Sequence, residues 1–249
     1  MVASMNETNA ALQVMLRIPG QWSNPGELIE RLPPGYQLTP DELRLPSGAH
    51  FEFIPMPPDE QFPRIFASSC REMPLPEEQA TVESYSVNIG LKGPGGSLES
   101  AHAIMQAGAA IIQAGGAGVF IDNCALAHGG SNWLEMTEDG SPDAISFAFA
   151  AIIRGEQEVY TMGMHIMGFP DLLMRRADLN ENGDAIIDIL RYVCSSDAPV
   201  NVDHLIVDET GPRFQVVAKV DDPFEPGSPM HNPHGRLKFV SMKDIASSN

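Results

Sequence analysis

Residues 90–123 read GLKGPGGSLESAHAIMQAGAAIIQAGGAGVFIDN: a strand, a glycine-rich turn, a helix of small residues and a second strand. Two folds share that pattern, and the turn separates them. A phosphate-binding unit needs glycines at set spacings that bare main-chain amides before a helix N-terminus. Read from Gly93, the chain gives GPGGSL, so Leu98 stands at the third glycine position and no Lys-Ser or Lys-Thr pair follows. Pro94 supplies no amide. The first acidic residue at the end of the next strand, Asp122, comes roughly thirty residues on rather than about twenty. The turn is therefore read as a corner, with Ser97 capping the helix by accepting from amides two or three residues ahead. Leu98, Ala101, Met105, Gly108 and Ile112 then form the packed stripe, and Glu99, His102, Gln106 and Gln113 the polar one. Val119 to Ile121 is wholly apolar, as a central strand covered on both faces should be.

Towards the N-terminus, apolar and polar residues alternate from Leu12 to Ile18, which predicts a strand. A short helix follows, capped by Ser23 or Asn24, with Pro25 in its first turn and Leu28, Ile29 and Leu32 inward. His50 to Pro57 reads as a strand. The six prolines between Pro55 and Pro76 predict an extended connection, and Thr81 to Leu91 the next strand. Towards the C-terminus come a helix from Pro142 to Arg154, a long strand from Glu156 to Phe169 and a helix from Gly183 to Cys194. A hairpin, Val202–Val207 and Arg213–Val220, closes through DETGP. The proline-rich loop DDPFEPGSPMHNPHG leads to a final strand from Arg236 to Val240.

Strands and helices mix without strict alternation, which predicts an α+β class: mixed sheets with helices packed on one face, two similar ferredoxin-like halves being an open variant. The expected organisation is a flexible terminus over residues 1–10, an α+β half over 11–139, and a second half over 140–243. The two halves pack as one compact unit, and 244–249 form a flexible end.

The 249 residues carry 15 basic and 33 acidic side chains, a net charge of -18. Nucleic acid and anionic membrane would be repelled by such a surface, whereas a basic protein or divalent cations would be attracted; a solubilising coat is the leading reading of the charge. Another protein is the expected partner. Cys70, Cys124 and Cys194 are far apart and odd in number, which fits core filling in a reducing cytoplasm. The first residues lack the marks of a secretion signal. The longest nearly apolar run, Ala107 to Ile121, falls short of the roughly 18 residues a membrane helix needs. The expectation is a soluble cytoplasmic protein, with no membrane and no cofactor.

The strongest candidate site is FIDNCALAHGGSNW, at the end of the predicted central strand. There Cys124 would be a nucleophile, His128 its base and Asp122 the base's orienting partner, with Asn123 and Trp133 as binding residues. The competing reading makes the same residues ordinary core and loop. A second candidate, ADLNENGDAIIDIL, places Asp178, Asn180, Asn182 and Asp184 like the first half of a calcium loop with Gly183 at the turn. The position that should close the shell with a glutamate is Ile189, so capping and turning without metal is the leading interpretation. His231 and His234 would need a third ligand, such as His165 or His204, to hold a metal. Met162, Met164, Met167 and Met174 read as core filler.

Three landmarks resemble an uncharacterised bacterial family, the domain of unknown function family 4261: GVFIDNCALAHGGSNW, EVYTMGMHIMGFPDLLM, and the helix-to-hairpin ending, over about Leu12 to Val220. Asp171 and Leu173 stand where that family's turn has glutamates. The resemblance implies a bacterial, soluble α+β protein and carries over no catalytic residue. The expected function is a non-catalytic interaction or regulatory module; the alternative is a small hydrolase or transferase with its site at residues 122–133.

Overall fold

The computed structural model describes residues 12–179, 185–196, 198–208 and 211–242. The predicted flexible ends, 1–10 and 244–249, lie outside them. In chain order the strands are β1 (Gln13–Gly20), β2 (Gln37–Leu38), β3 (Glu42–Arg44), β4 (His50–Met56), β5 (Val87–Pro94), β6 (Gly118–Ile121), β7 (Leu126–Gly129), β8 (Ala151–Arg154), β9 (Glu158–Met162), β10 (Asp171–Arg175), β11 (Leu205–Asp208), β12 (Gly211–Val220) and β13 (Arg236–Ser241). The α-helices are α1 (Pro25–Arg31), α2 (Phe62–Ser69), α3 (Pro76–Glu83), α4 (Leu98–Gln113), α5 (Gly130–Asp139), α6 (Pro142–Phe149) and α7 (Ala185–Ser195). The fold is α+β.

The first sheet has the order β2-β3-β4-β5-β1-β6-β7 and is antiparallel at every pairing. β1 pairs with β5 from Gln13↔Pro94 to Gly20↔Val87, so period two turns Val14, Leu16 and Ile18 to one face, where all three are buried. α4 packs there. Ser97 accepts from the Ser100 amide at 3.1 Å, and Gly108 lets the helix approach the Trp133 indole, which a β-carbon would meet at 2.9 Å.

Helices were expected on one face of a sheet; α4 holds that face of the first sheet, β4 leaves alternate residues exposed, and only the β6–β7 end is covered on the other face as well. On the side away from α4, α2 and α3 enclose a second core of Phe62, Phe66, Val82, Tyr85, Phe120 and Ala127. The extended connection expected between Pro55 and Pro76 instead contains α2 and most of the loop leading to α3. Pro63 and Pro76 occupy the first turns of α2 and α3, where a missing N–H has no consequence, rather than marking an extended connection. For the same reason the strand predicted from Thr81 begins only at Val87. Ile29 also departs from expectation: it is exposed, and Leu28 alone among the α1 residues is buried.

The second sheet has the order β11-β12-β13-β10-β9-β8, with β10 and β13 parallel. Two predicted elements divide. The helix beginning at Pro142 stops at Phe149, because the Arg71 guanidinium takes the carbonyls of Phe147 and Ala150; Ile152 and Ile153 therefore belong to β8. The long strand stops at Met162, because Gly163 turns with φ 101° into a 3-10 turn over Met164–Met167. β10 was not anticipated. The sheets differ in strand number and in that parallel pair, and neither has the four-stranded βαββαβ arrangement of ferredoxin-like halves.

The first sheet draws only on residues 13–129 and the second only on 151–241. Helices α4, α5, α6 and α7 touch in series between them, and one apolar core runs from Leu16 and Ile104 through Phe149 to Leu190 and Phe239. Among the described residues no helix is long and apolar enough to cross a membrane.

Candidate functional site

The predicted constellation sits on the β6–β7 turn and the start of α5, and the structure assigns each member a separate internal partner. Asp122 receives three hydrogen bonds from Arg17, at 2.7, 3.0 and 2.8 Å, a two-point fork that points it away from His128. Asn123 is buried. Its Oδ1 accepts from the Met15 amide at 3.0 Å, and its Nδ2 donates to the carbonyls of Gln13 and Pro229 at 2.9 and 3.0 Å. Trp133 is wholly buried, donates to the Met105 carbonyl at 3.1 Å and meets Phe149 edge-on. It lines no cavity.

His128 lies in β7 against Val119, with its ring near those of Trp133 and Phe147. Its Nε2 is 2.9 Å from the Ala148 carbonyl. A carbonyl only accepts, so this nitrogen carries the proton. Burial pushes the pKa of His128 down to about 4. Cys124 is buried against Gly163, and burial pushes its thiol up to about 12. Among the described residues no hydrogen bond joins Cys124, His128 and Asp122. Sequence proximity brought the three together; the strand pleat and the Arg17 fork separate them.

The glycine-rich turn is a corner in the structure. The Gly95 and Gly96 amides donate to the carbonyls of Leu12 and Ile166 at 3.0 and 2.8 Å, and the Ser97 amide donates to Ser100 Oγ at 3.2 Å. None of these three faces outward to a phosphate. Of the calcium candidates, Asp178 accepts from Arg175 at 2.9 and 2.7 Å, while Asn180, Asn182 and Asp184 lie outside the described residues. His231 Nδ1 donates to the Phe224 carbonyl at 2.8 Å, and His204 Nε2 lies 2.7 Å from the Tyr192 hydroxyl. Among the described residues no three His, Cys, Asp or Glu side chains converge to hold a metal ion.

A denser polar cluster lies beneath the proline-rich loop, and sequence reading passed over most of it. Asp171, at the start of β10, accepts from Thr161 Oγ1 at 3.0 Å, the Met164 amide at 3.3 Å and Asn232 Nδ2 at 2.7 Å. Burial outweighs these bonds and pushes its carboxyl up to about 6. Asp222 and Arg236 are both buried and stand 3.6 Å apart, the guanidinium 4.6 Å above the Tyr160 ring. His165 is 1% exposed, and among the described residues neither ring nitrogen has a hydrogen-bond partner. Burial lowers its pKa to about 4; the Pro229 carbonyl opposes this from close by, outside hydrogen-bond geometry. A cavity of about 350 Å³ opens beside the cluster, lined in part by Asp222, Phe224, His231, Asn232 and His234. Together Asp222–Arg236, Asp171–Asn232 and Asn123–Pro229 clamp the loop to both sheets. The one sequence signal was the pair Asp221-Asp222 ahead of an arginine that opens the final strand.

Both buried histidines have folded pKa values below the ordinary 6.5. The stability tied to their neutral form is therefore complete above pH 6.5 and is lost as pH falls through about 4, by about 3 kcal/mol for each at full protonation. Asp171 has the opposite sign: its contribution is complete below 3.8 and is lost as pH rises through about 6. The histidines outweigh it, so the urea midpoint is expected to fall between pH 6.5 and 4. His128→Gln should flatten that fall; an unchanged slope would show that His128 is not held neutral.

No family model matches the chain, and no curated protein or solved structure was found to be similar to it.

Proposed function

We propose that this chain is a non-catalytic interaction or regulatory module. The observation that supports the reading most is the state of Cys124. A cysteine nucleophile needs an exposed thiolate with a base in reach, and this thiol is buried, pushed up to about 12 and unconnected to His128. Asp122, Asn123 and Trp133 are equally committed to Arg17, to main-chain groups and to the core. No observation favours the hydrolase or transferase alternative over this one. The net charge of -18 points to a basic protein as partner.

Alkylation with iodoacetamide followed by peptide mass spectrometry tests the reading. In the folded protein at neutral pH, Cys124 and Cys194 should stay unmodified, and Cys70, half-buried and pushed up to about 11, should react slowly. All three should react in denaturant. Rapid labelling confined to Cys124 in the folded protein would favour the enzyme reading instead.

A further inference from the structure

We infer that the groove between α2 and α3 docks an amphipathic helix of another protein, apolar along one stripe and basic beside it; this rests on the interaction reading above. The two helices turn Phe62, Phe66 and Val82 into the second core. Above that core a cleft of about 50 Å³ remains between them. α2 lines it with Pro63, Phe66 and Ala67, spaced three and four apart, and α3 with Gln79, Val82 and Glu83 in the same spacing. One stripe of each helix is therefore a wall, and the floor is apolar.

Met73, on the loop joining the helices, closes the lining and is 84% exposed, the highest value of any large apolar side chain among the described residues. Leu75, two residues on, is exposed too, and so is Ala67 in the α2 wall. An unbranched, adaptable thioether left in water beside an apolar cleft suits a surface that moulds itself to a partner's side chains. The walls ask for a helix rather than a strand. α2 and α3 use their main-chain groups within themselves, so an extended segment would find no ladder to join, whereas a helix arrives with its own hydrogen bonds made. Each wall has eight residues, a length of about 12 Å that two turns of a docked helix span.

Charge decides what lies beside the apolar stripe. Between residues 59 and 83, Asp59, Glu60, Glu72, Glu77 and Glu83 are exposed, and Glu83 lines the cleft itself. Against them stands Arg64, which does not line it; Arg71 is turned inward to the carbonyls of Phe147 and Ala150. Lysines or arginines flanking the docked stripe would meet this acidic rim, whereas a second copy of the chain, itself at -18, would be repelled.

The test titrates a capped helical peptide, Leu-Lys-Lys-Leu-Leu-Lys-Leu-Leu-Lys-Lys-Leu-Leu-Lys-Leu, into the full chain by fluorescence anisotropy. A version with glutamate for lysine, a version with proline at its centre and light scattering of the protein alone serve as controls. Binding is expected to weaken at least about tenfold with either control peptide. The double variant Met73→Ser/Ala67→Gln, which alters two exposed side chains and no charge, should weaken it as much; Val217→Ser, at an exposed apolar position of the second sheet, should leave it unchanged. Peptide should also shift the Met73 methyl resonance in the unmodified protein, a readout independent of whether the variant folds. Absence of binding, equal binding of the lysine and glutamate or proline versions, an unmoved Met73 methyl, undiminished binding by the double variant, or a dimer that the double variant dissolves would each overturn the inference. Selective labelling of Cys124 would overturn the module reading instead, so the two failures are told apart.

Discussion

Gly163→Ala is expected to destabilise the protein by about 4 kcal/mol, read as a fall in the urea midpoint with an unchanged slope. Two effects add at this position. The backbone sits at φ 101°, a region that costs a residue with a side chain about 1–3 kcal/mol. An added β-carbon would also lie 2.2 Å from the Phe149 carbonyl oxygen and 2.8 Å from Cys124 Cβ. Neither neighbour yields easily, one being main chain and the other a buried thiol, and overpacking of this kind costs about 1–3 kcal/mol. A loss below about 1 kcal/mol would mean that the β9 turn tolerates another geometry. Gly168→Ala, at the far end of the same 3-10 turn with φ 86°, should behave alike, since its β-carbon would meet the Gly96 carbonyl oxygen at 2.4 Å.

Asp222→Ala should be about as damaging, by a different route. It removes the carboxylate and leaves Arg236 charged, buried and without its counter-ion, which typically costs about 3–5 kcal/mol. The Phe224 amide, which donates to Asp222 Oδ1 at 2.8 Å, loses its acceptor as well. The double variant Asp222→Leu/Arg236→Met removes both charges and should recover most of the loss. Thermal unfolding of the two singles and the double gives the coupling. If the double variant is as unstable as the sum of the singles, the pair does not hold the loop.

Regular elements with one strong period were legible in the sequence. β1 and α4 show clean period-two and three-and-four patterns, and Asn24 and Ser97 cap α1 and α4 with the side chains expected of them. Elements broken by a distant contact were not. Nothing near Ala150 in the chain announces that Arg71, far back in sequence, will take its carbonyl, and nothing near Met162 announces that Gly163 will adopt a positive φ against Cys124. Prolines misled where they begin helices, as at Pro63 and Pro76. The candidate site failed for a related reason. Asp122, Cys124 and His128 are close in sequence, but the pleat and the Arg17 fork point them to different partners, whereas Asp171, Asp222, Asn232 and Arg236 gather from separate segments.

The Asn123 amide has one further consequence, for the order in which the molecule is completed. Two of its three partners, Gln13 and Met15, leave the ribosome before it, but the Pro229 carbonyl emerges about a hundred residues later. Arg71 likewise waits for Phe147 and Ala150. During synthesis the earlier half therefore carries polar groups whose acceptors have yet to be made, and the Asn123 amide is satisfied in full only after Pro229 has been added.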